Sequence, residues 1–117
     1  MLRHLLKSKI HRAVITGADV DYEGSIEIDP DLTDAVGIVE GERILVASIT
    51  SGNRLETYVQ AGKRGGKEIL INGGAAHRIK QGELVALMTF ALSENEITPK
   101  KILLNEKNEI IRTNVTD

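Results

Sequence analysis

Two nine-residue segments of this 117-residue chain share one pattern, and this repeat constrains the fold more than any other feature of the sequence. Residues 38–46 read IVEGERILV and residues 79–87 read IKQGELVAL, so the two copies begin 41 residues apart and both fit I-x-x-G-E-x-(I/V)-x-(V/L). Each copy follows a short helix candidate and leads into an apolar strand. A small barrel with internal pseudo-twofold symmetry would produce such a repeat.

Short strand signals dominate the rest of the sequence. Strand-like stretches occupy residues 9–15, 25–29, 43–50, 54–61, 68–72 and 83–92, with a weak hairpin at 101–104 and 109–113. The stretch 83–92 is apolar on both faces, which predicts a strand covered on both sides. Asp29 and Pro30 predict the start of a short helix that ends at Gly37, and residues 73–79 predict a helical turn.

The number of short strands predicts the fold class. Many strands with two short helices indicate a single, mainly β domain over residues 1–117 that closes into a small β-barrel, because closure removes exposed strand edges. Residues 43–50 and 54–61 predict a hairpin with a three-residue loop. In its second strand Arg54, Glu56 and Tyr58 share one face. A chain of this length buries only a modest core, so oligomerisation is expected.

Composition narrows the possible functions. The chain has 15 basic and 17 acidic residues, and this near balance does not suggest a general nucleic-acid binder. It has no cysteine, which excludes thiolate metal sites and a thiol nucleophile. His4 and His77 have no metal-ligand spacing, so no metal is predicted. The polar N-terminus and the lack of a long apolar stretch predict no signal peptide and no membrane span, hence a cytoplasmic protein.

The dipeptide Gly24-Ser25 stands in an acidic run, DVDYEGSIEID, just before a predicted strand. On the dipeptide alone an ordinary loop is favoured, because both residues are common in turns. The alternative is self-cleavage, in which the Ser25 hydroxyl attacks the Gly24 carbonyl in an N→O acyl shift. Glycine tolerates the strained angles of such an attack. Elimination and hydrolysis would then leave a pyruvoyl group at residue 25, whose keto carbon forms a Schiff base with an amine.

The motifs around this dipeptide resemble those of pyruvoyl-dependent aspartate 1-decarboxylases, bacterial enzymes that make β-alanine for pantothenate. The matching stretches are KSKIHRAVIT.ADV.YEGS.EID, GNR..TY, RG...I..NG.AAH and GE.V, and the match runs from residue 1 to about residue 92 without gaps. The resemblance implies a double-ψ β-barrel and a homotetramer with active sites between subunits. It also implies self-cleavage into residues 1–24 and 25–117, a pyruvoyl group derived from Ser25, and L-aspartate as substrate. Whether maturation needs a helper protein is left open.

The same resemblance implies roles for charged and hydroxyl side chains. Arg54 would bind a substrate carboxylate through its planar guanidinium, with Lys9 as a second cation; otherwise both are solvated surface charges. Tyr58 would protonate Cα after CO₂ leaves, and Thr57 would orient the Gly24 carbonyl during cleavage. Their ordinary alternatives are a half-buried strand tyrosine and a core-facing threonine. Because neighbouring strand residues point to opposite faces, both reach one site only through a local twist or bulge.

The resemblance also implies a set of pocket-lining residues. An amide and backbone N–H groups would come from Asn72, Gly73, Gly74 and Ala75. The family commonly has NGAAAH where this chain has NGGAAH, so the extra glycine adds backbone freedom there. His11 and Tyr22 fall within matching motifs and are predicted to line the pocket, with a purely structural role as the alternative.

Two other functions remain open at this point. A pyruvoyl decarboxylase of another amino acid would share the cleavage site, and only the resemblance favours a small diacid. A non-catalytic barrel that binds a partner, such as a transcription regulator, is supported only by the basic N-terminus, where residues 1–12 carry four basic residues and no acid. A surface that contacts phosphate would need more net positive charge. Denaturing gel electrophoresis separates the classes, since a binding module would run as one intact band.

Overall fold

The computed structural model describes residues 1–114, which form nine strands and two short helices. The strands are β1 (Arg3–Val14), β2 (Gly17–Asp19), β3 (Ser25–Ile28), β4 (Arg43–Ser48), β5 (Arg54–Ala61), β6 (Ile69–Asn72), β7 (Leu84–Ser93), β8 (Lys100–Leu104) and β9 (Ile110–Thr113). The helices are α1 (Pro30–Val36) and a 3₁₀ helix (Gly73–His77). The predicted mainly β class is confirmed. Residues 115–117, the end of the predicted domain and of its 25–117 segment, lie outside the described residues.

The strands of this range form one sheet in which β1 and β2, near opposite ends, follow one another in sequence. Their order is β2-β6-β3-β5-β4-β7-β1-β8-β9. Only Ile15 and Thr16 separate β2, at one end, from β1, near the other. The Thr16 N–H donates to the Ile69 carbonyl at 2.8 Å, and the Ile15 N–H donates to the Glu83 carbonyl at 3.0 Å. The sheet therefore curls round on itself, which is consistent with the predicted small β-barrel.

The interior of the curled sheet is aliphatic, as the scarcity of aromatic residues predicts. The largest fully buried side chains are Ile10, Ile15, Ile26, Ile28, Ile44, Ile69, Ile71, Ile79, Leu87, Ile102, Leu104 and Val36. Branched aliphatic side chains of this kind pack well between pleated strands. The three aromatic residues, Tyr22, Tyr58 and Phe90, are 56%, 40% and 47% exposed. The aromatic side chains therefore lie partly exposed at the surface of the single chain.

The sequence repeat is also a structural repeat. In each copy the glycine has a left-handed φ, +87° at Gly41 and +90° at Gly82. The carboxylates of Glu42 and Glu83 then accept hydrogen bonds from the backbone N–H three residues earlier, at 3.1 and 2.6 Å. The copies lead into β4 and β7, which pair antiparallel at the middle of the sheet. The strands that follow the two copies of the repeat therefore lie side by side.

Helix α1 begins and ends where the sequence predicts. The Asp29 carboxylate accepts the N–H of Asp31 at 2.9 Å, and Gly37 ends the helix with φ +73°. The same carboxylate accepts the N–H groups of Gly65 and Lys67, at 3.0 and 2.8 Å. Burial raises the pKa of Asp29, but these backbone hydrogen bonds outweigh it, so its pKa lies below the usual value. Asp29 thereby fixes the end of β3 against the loop that precedes β6.

Two local predictions are wrong. Strand β7 is covered on both faces only in its first half, because Phe90 and Leu92 are 47% and 59% exposed where they pair with the outer end of β1. The loop between β4 and β5 spans residues 49–53 rather than three residues. Its first two N–H groups, those of Ile49 and Thr50, donate to the Leu84 carbonyl instead of continuing the hairpin.

Candidate active site

Ser25 occupies the first position of β3, where it is completely buried. It pairs with Asn72 across the antiparallel β3–β6 ladder. Its hydroxyl donates to the Gln60 side-chain carbonyl, with 2.7 Å between Oγ and Oε1. The Asn72 amide nitrogen lies 3.5 Å from the same Oγ and 3.2 Å from a carboxylate oxygen of Glu27. Three polar side chains from three strands thus cluster at the hydroxyl that is predicted to attack the backbone.

The backbone of Gly24 lies directly over Gly73. A Cβ built at Gly73 would be 2.6 Å from the Gly24 Cα and 2.8 Å from its N, and Gly73 has φ +78°. Both the contact and the angle require glycine at this position. A Cβ at Gly24 or at Gly74 would meet no atom within 4 Å. The contact therefore requires glycine at position 73 and not at position 24. The absence of a side chain at Gly73 allows the predicted scissile bond to approach the 3₁₀ helix.

A cleft of about 300 Å³ opens beside this bond. Its lining comprises Gly24, Leu55, Glu56, Thr57, Asn72, Gly74, Ala75 and Arg78. The cleft exists because β3 pairs with β5 only from Ile26 and Val59 onward, so the first half of β5 extends past the start of β3. The position level with Gly24 on β5 is Thr57. One chain therefore gathers five of the predicted site residues around the Gly24-Ser25 bond.

Arg54 and Tyr58 do not line this cleft. The β4–β5 register runs from Arg43 opposite Tyr58 to Ala47 opposite Arg54 without a shift. The bulge that would bring Thr57 and Tyr58 to one site is therefore not found in β5. Arg54 and Tyr58 lie on the face of β5 that carries Gln60, which is the face toward which Ser25 directs its hydroxyl.

Lys9, His11 and Tyr22 also lie outside the cleft. Lys9 and His11 are half-buried on β1, where Lys9 pairs with Met88 of β7. Met88 pairs in turn with Leu45, and Leu45 with Glu56, so Lys9 shares the outer face of the sheet with Arg54 and Tyr58. β1 is four strands from β3. At about 4.8 Å per strand, Lys9 is roughly 19 Å along the sheet from the row of Ser25.

Tyr22 lines a second cavity of similar size that shares Asn72 with the cleft. This cavity of about 310 Å³ is bounded by Gly17, Ala18, Asp19, Tyr22, Glu27, Leu70 and Asn72. The Tyr22 side chain is 56% exposed. It therefore neighbours the Ser25 environment through Asn72, but it does not enter the cleft itself.

Comparison with known proteins agrees with the resemblance seen in the motifs. The family model described as aspartate decarboxylase matches residues 1–111. The chain belongs to the aspartate decarboxylase family. It is 50% identical to the aspartate 1-decarboxylase of a Thermotoga species over 112 residues, which cover 96% of this chain and 98% of the relative. It is also 50% identical over 115 residues to the enzyme of that name in Myxococcus xanthus, with 95% and 88% of the two chains covered.

Three side chains at the candidate site of this family member were missed by the sequence analysis: Gln60, Glu27 and Arg78. Two of them follow from strand alternation, since Gln60 comes two residues after Tyr58 and Glu27 two residues after Ser25. Arg78 immediately follows the run NGGAAH and is the residue that brings a cation to the cleft. The position of Arg78 next to a predicted pocket segment could have indicated that it lies at the site.

The described part of the chain shows neither a candidate metal site nor a candidate membrane-spanning helix. Residues 1–114 contain no group of three or more His, Asp or Glu side chains placed to hold a metal ion. Within the same range, no helix has the length and apolar character needed to cross a membrane.

Proposed function

We propose that this chain is an aspartate 1-decarboxylase that converts L-aspartate to β-alanine and CO₂, and that it thereby supplies pantothenate and coenzyme A synthesis. Membership of the aspartate decarboxylase family supports the reaction. The observation that carries the proposal in this chain is the buried Ser25 hydroxyl beside the cleft that holds Gly24, Thr57 and Asn72. The cytoplasmic location expected from the sequence is part of the same proposal.

The first step is cleavage of the chain's own backbone into residues 1–24 and 25–117. The Ser25 Oγ attacks the Gly24 carbonyl carbon while Thr57, level with Gly24 on β5, orients the carbonyl. Gly24 has no side chain, and a Cβ there would meet no atom within 4 Å, so the backbone has the freedom that the attack requires. Asn72, Gly74 and Ala75 line the same cleft as Gly24, and the hydrogen-bond donors of this run would stabilise the oxyanion.

The residues present fit a pyruvoyl group at position 25. Ser25 is the required precursor, and its surroundings are buried and hydrogen-bonded rather than open to water. The group supplies an electron sink for the carbanion that decarboxylation leaves. The chain's own residues do the rest: Arg54, with Lys9, holds substrate carboxylate, and Tyr58 delivers a proton to Cα. His11 and Tyr22 complete the lining of the pocket.

The assembly that we propose is a homotetramer with active sites between subunits. Lys9 lies four strands from Ser25 in the sheet order and does not line the cleft beside Ser25. The outer face that carries Arg54 and Tyr58 also exposes Phe90 and Leu92, and a groove of about 470 Å³ crosses it. Exposed apolar surface of this kind marks protein–protein contacts. A second copy seated there would cover the apolar side chains and bring its Lys9 to the site.

The intact mass of the purified protein tests the proposal directly. The wild-type chain is expected to be split at Gly24-Ser25, with the larger fragment carrying a pyruvoyl N-terminus, and to release β-alanine from L-aspartate. Ser25→Ala should stay whole and inactive, because alanine has no nucleophile. A wild-type protein that remains one uncleaved chain, with or without a helper protein in the expression host, would contradict the proposal. Assaying other amino acids as substrates separates an aspartate enzyme from a pyruvoyl decarboxylase of different specificity.

A further inference from the structure

The side chain that touches the Ser25 hydroxyl is Gln60. The Gln60 Oε1 accepts from the Ser25 Oγ at 2.7 Å, an ordinary length for an O–H···O hydrogen bond. Gln60 pairs with Glu27 in the parallel β3–β5 ladder, so both strands hold this contact. Val59, its neighbour in sequence, is buried in the core and fixes the strand on its other face.

The direction of this hydrogen bond matters for the attack on Gly24. Ser25 is 0% exposed, so solvent does not reach its side chain in the single chain. The amide nitrogen of Asn72, 3.5 Å away, can only donate to Oγ. Gln60 is therefore the acceptor toward which the hydroxyl hydrogen points. With the hydrogen held on the β5 side, a lone pair of Oγ is free to face the Gly24 carbonyl carbon.

We infer that Gln60 orients the Ser25 hydroxyl for self-cleavage, an inference that rests on the proposed function. In the acyl shift the bond between Oγ and the Gly24 carbonyl carbon forms, and the bond from that carbon to the Ser25 nitrogen breaks. The hydroxyl proton ends on the released nitrogen, so atoms and charge balance. An amide oxygen is far too weak a base to keep this proton. Gln60 therefore sets the direction of the hydroxyl and does not act as a general base.

This role ends once cleavage is complete. A pyruvoyl group at position 25 has no hydroxyl, so the hydrogen bond to Gln60 no longer exists. Loss of the Gln60 carbonyl should therefore slow processing, and a substitution that keeps an acceptor oxygen should restore it. A residue that only supports the packing of β5 would show no such rescue.

The test follows the cleavage rate of freshly made chains. Wild type, Gln60→Leu, Gln60→Glu and Gln81→Leu are synthesised in a cell-free system, stopped at intervals and separated on denaturing gels. Gln60→Leu removes the acceptor and should cleave roughly two- to tenfold more slowly, the equivalent of one neutral hydrogen bond. Gln60→Glu keeps an acceptor oxygen and should cleave at close to the wild-type rate, clearly faster than Gln60→Leu. The control, Gln81→Leu, makes the same change in an exposed turn and should match wild type.

The melting temperature of each variant is measured in the same preparations, and that of Gln60→Leu should be similar to wild type. Wild-type cleavage kinetics in Gln60→Leu, or equal slowing in Gln60→Leu and Gln60→Glu, would overturn the inference. A wild type that never cleaves would overturn the proposed function and this inference together, whereas a cleaving wild type indifferent to Gln60 would overturn only the inference.

Discussion

Replacing Gly73 by alanine tests the contact between the 3₁₀ helix and the predicted scissile bond. The new Cβ would lie 2.6 Å from the Gly24 Cα, 2.8 Å from the Gly24 N and 3.1 Å from the Tyr22 carbonyl oxygen. All three neighbours are backbone atoms, so no side chain can rotate away. The backbone of Gly24 must move by several tenths of an ångström, or Gly73 must leave its present conformation.

The cost has two parts. Alanine at φ +78° adopts a left-handed conformation, which costs roughly 1–2 kcal/mol. Forcing extra volume into a packed site costs about 1–3 kcal/mol. Together these lower the free energy of unfolding by about 2–5 kcal/mol, which a domain with a typical stability of about 5–15 kcal/mol survives. At roughly 4–8 °C per kcal/mol, the melting temperature should fall by at least about 8 °C.

The second effect concerns cleavage. Displacement of Gly24 moves the carbonyl away from the Ser25 Oγ, and misplacement of reacting groups by about 1 Å can cost on the order of 10² in rate. A smaller shift should still slow processing about tenfold. Cleavage is followed by intact mass and unfolding by thermal denaturation, with Ser25 left unchanged in every variant.

Gly74→Ala is the matched control. Its Cβ would meet no atom within 4 Å, and Gly74 has no positive φ. Alanine at a compatible position leaves stability unchanged or raises it by up to about 1 kcal/mol. Gly74→Ala should therefore match wild type in melting temperature and cleavage rate, whereas Gly73→Ala should be destabilised and slow to cleave. Equal melting temperatures for the two variants would refute the steric argument, and fast cleavage in a destabilised Gly73→Ala would refute its link to processing.

Three further predictions concern the substrate and pH. Tyr58→Phe should cleave normally and form an adduct with aspartate that borohydride traps, yet lose about 10²–10⁴ in β-alanine production; near-normal turnover would make Tyr58 purely structural. Arg54→Ala should lower kcat/KM about ten- to a hundredfold by loss of a charged hydrogen bond, and a larger loss in Arg78→Ala would assign the carboxylate to the cleft arginine instead. The pKa of Glu83 is lowered, chiefly by the Ser48 hydroxyl that donates to its carboxylate and against the effect of burial. The contribution of Glu83 to stability is therefore present above the ordinary pKa of 4.5 and is lost as pH falls through the lower folded-state pKa. In urea unfolding the gap between wild type and Glu83→Gln should therefore be widest near pH 7 and close in acid, and a gap independent of pH would contradict this.

Local features of the fold could be predicted from the sequence. The repeat, the helix from Pro30 to Gly37 and the turn at residues 73–79 depend on signals that act within a few residues, such as a capping carboxylate or a glycine at positive φ. The Gly24-Ser25 pair was identified through its surrounding motifs, which lie along the same continuous stretch. Strand alternation correctly placed Arg54 and Tyr58 on one face of β5.

The tertiary structure decided which of those residues meet. It brings Gly24, Thr57 and Asn72 together because β5 extends past the start of β3, a property of register between segments far apart in sequence. It leaves Lys9 four strands away, and it places Gln60 against Ser25. Alternation assigns a side chain to a face, but only strand order and register fix its neighbours. That is why the sequence alone could indicate Gly24-Ser25 as the predicted cleavage site, whereas the hydrogen-bond partner of Ser25 became visible only in the folded chain.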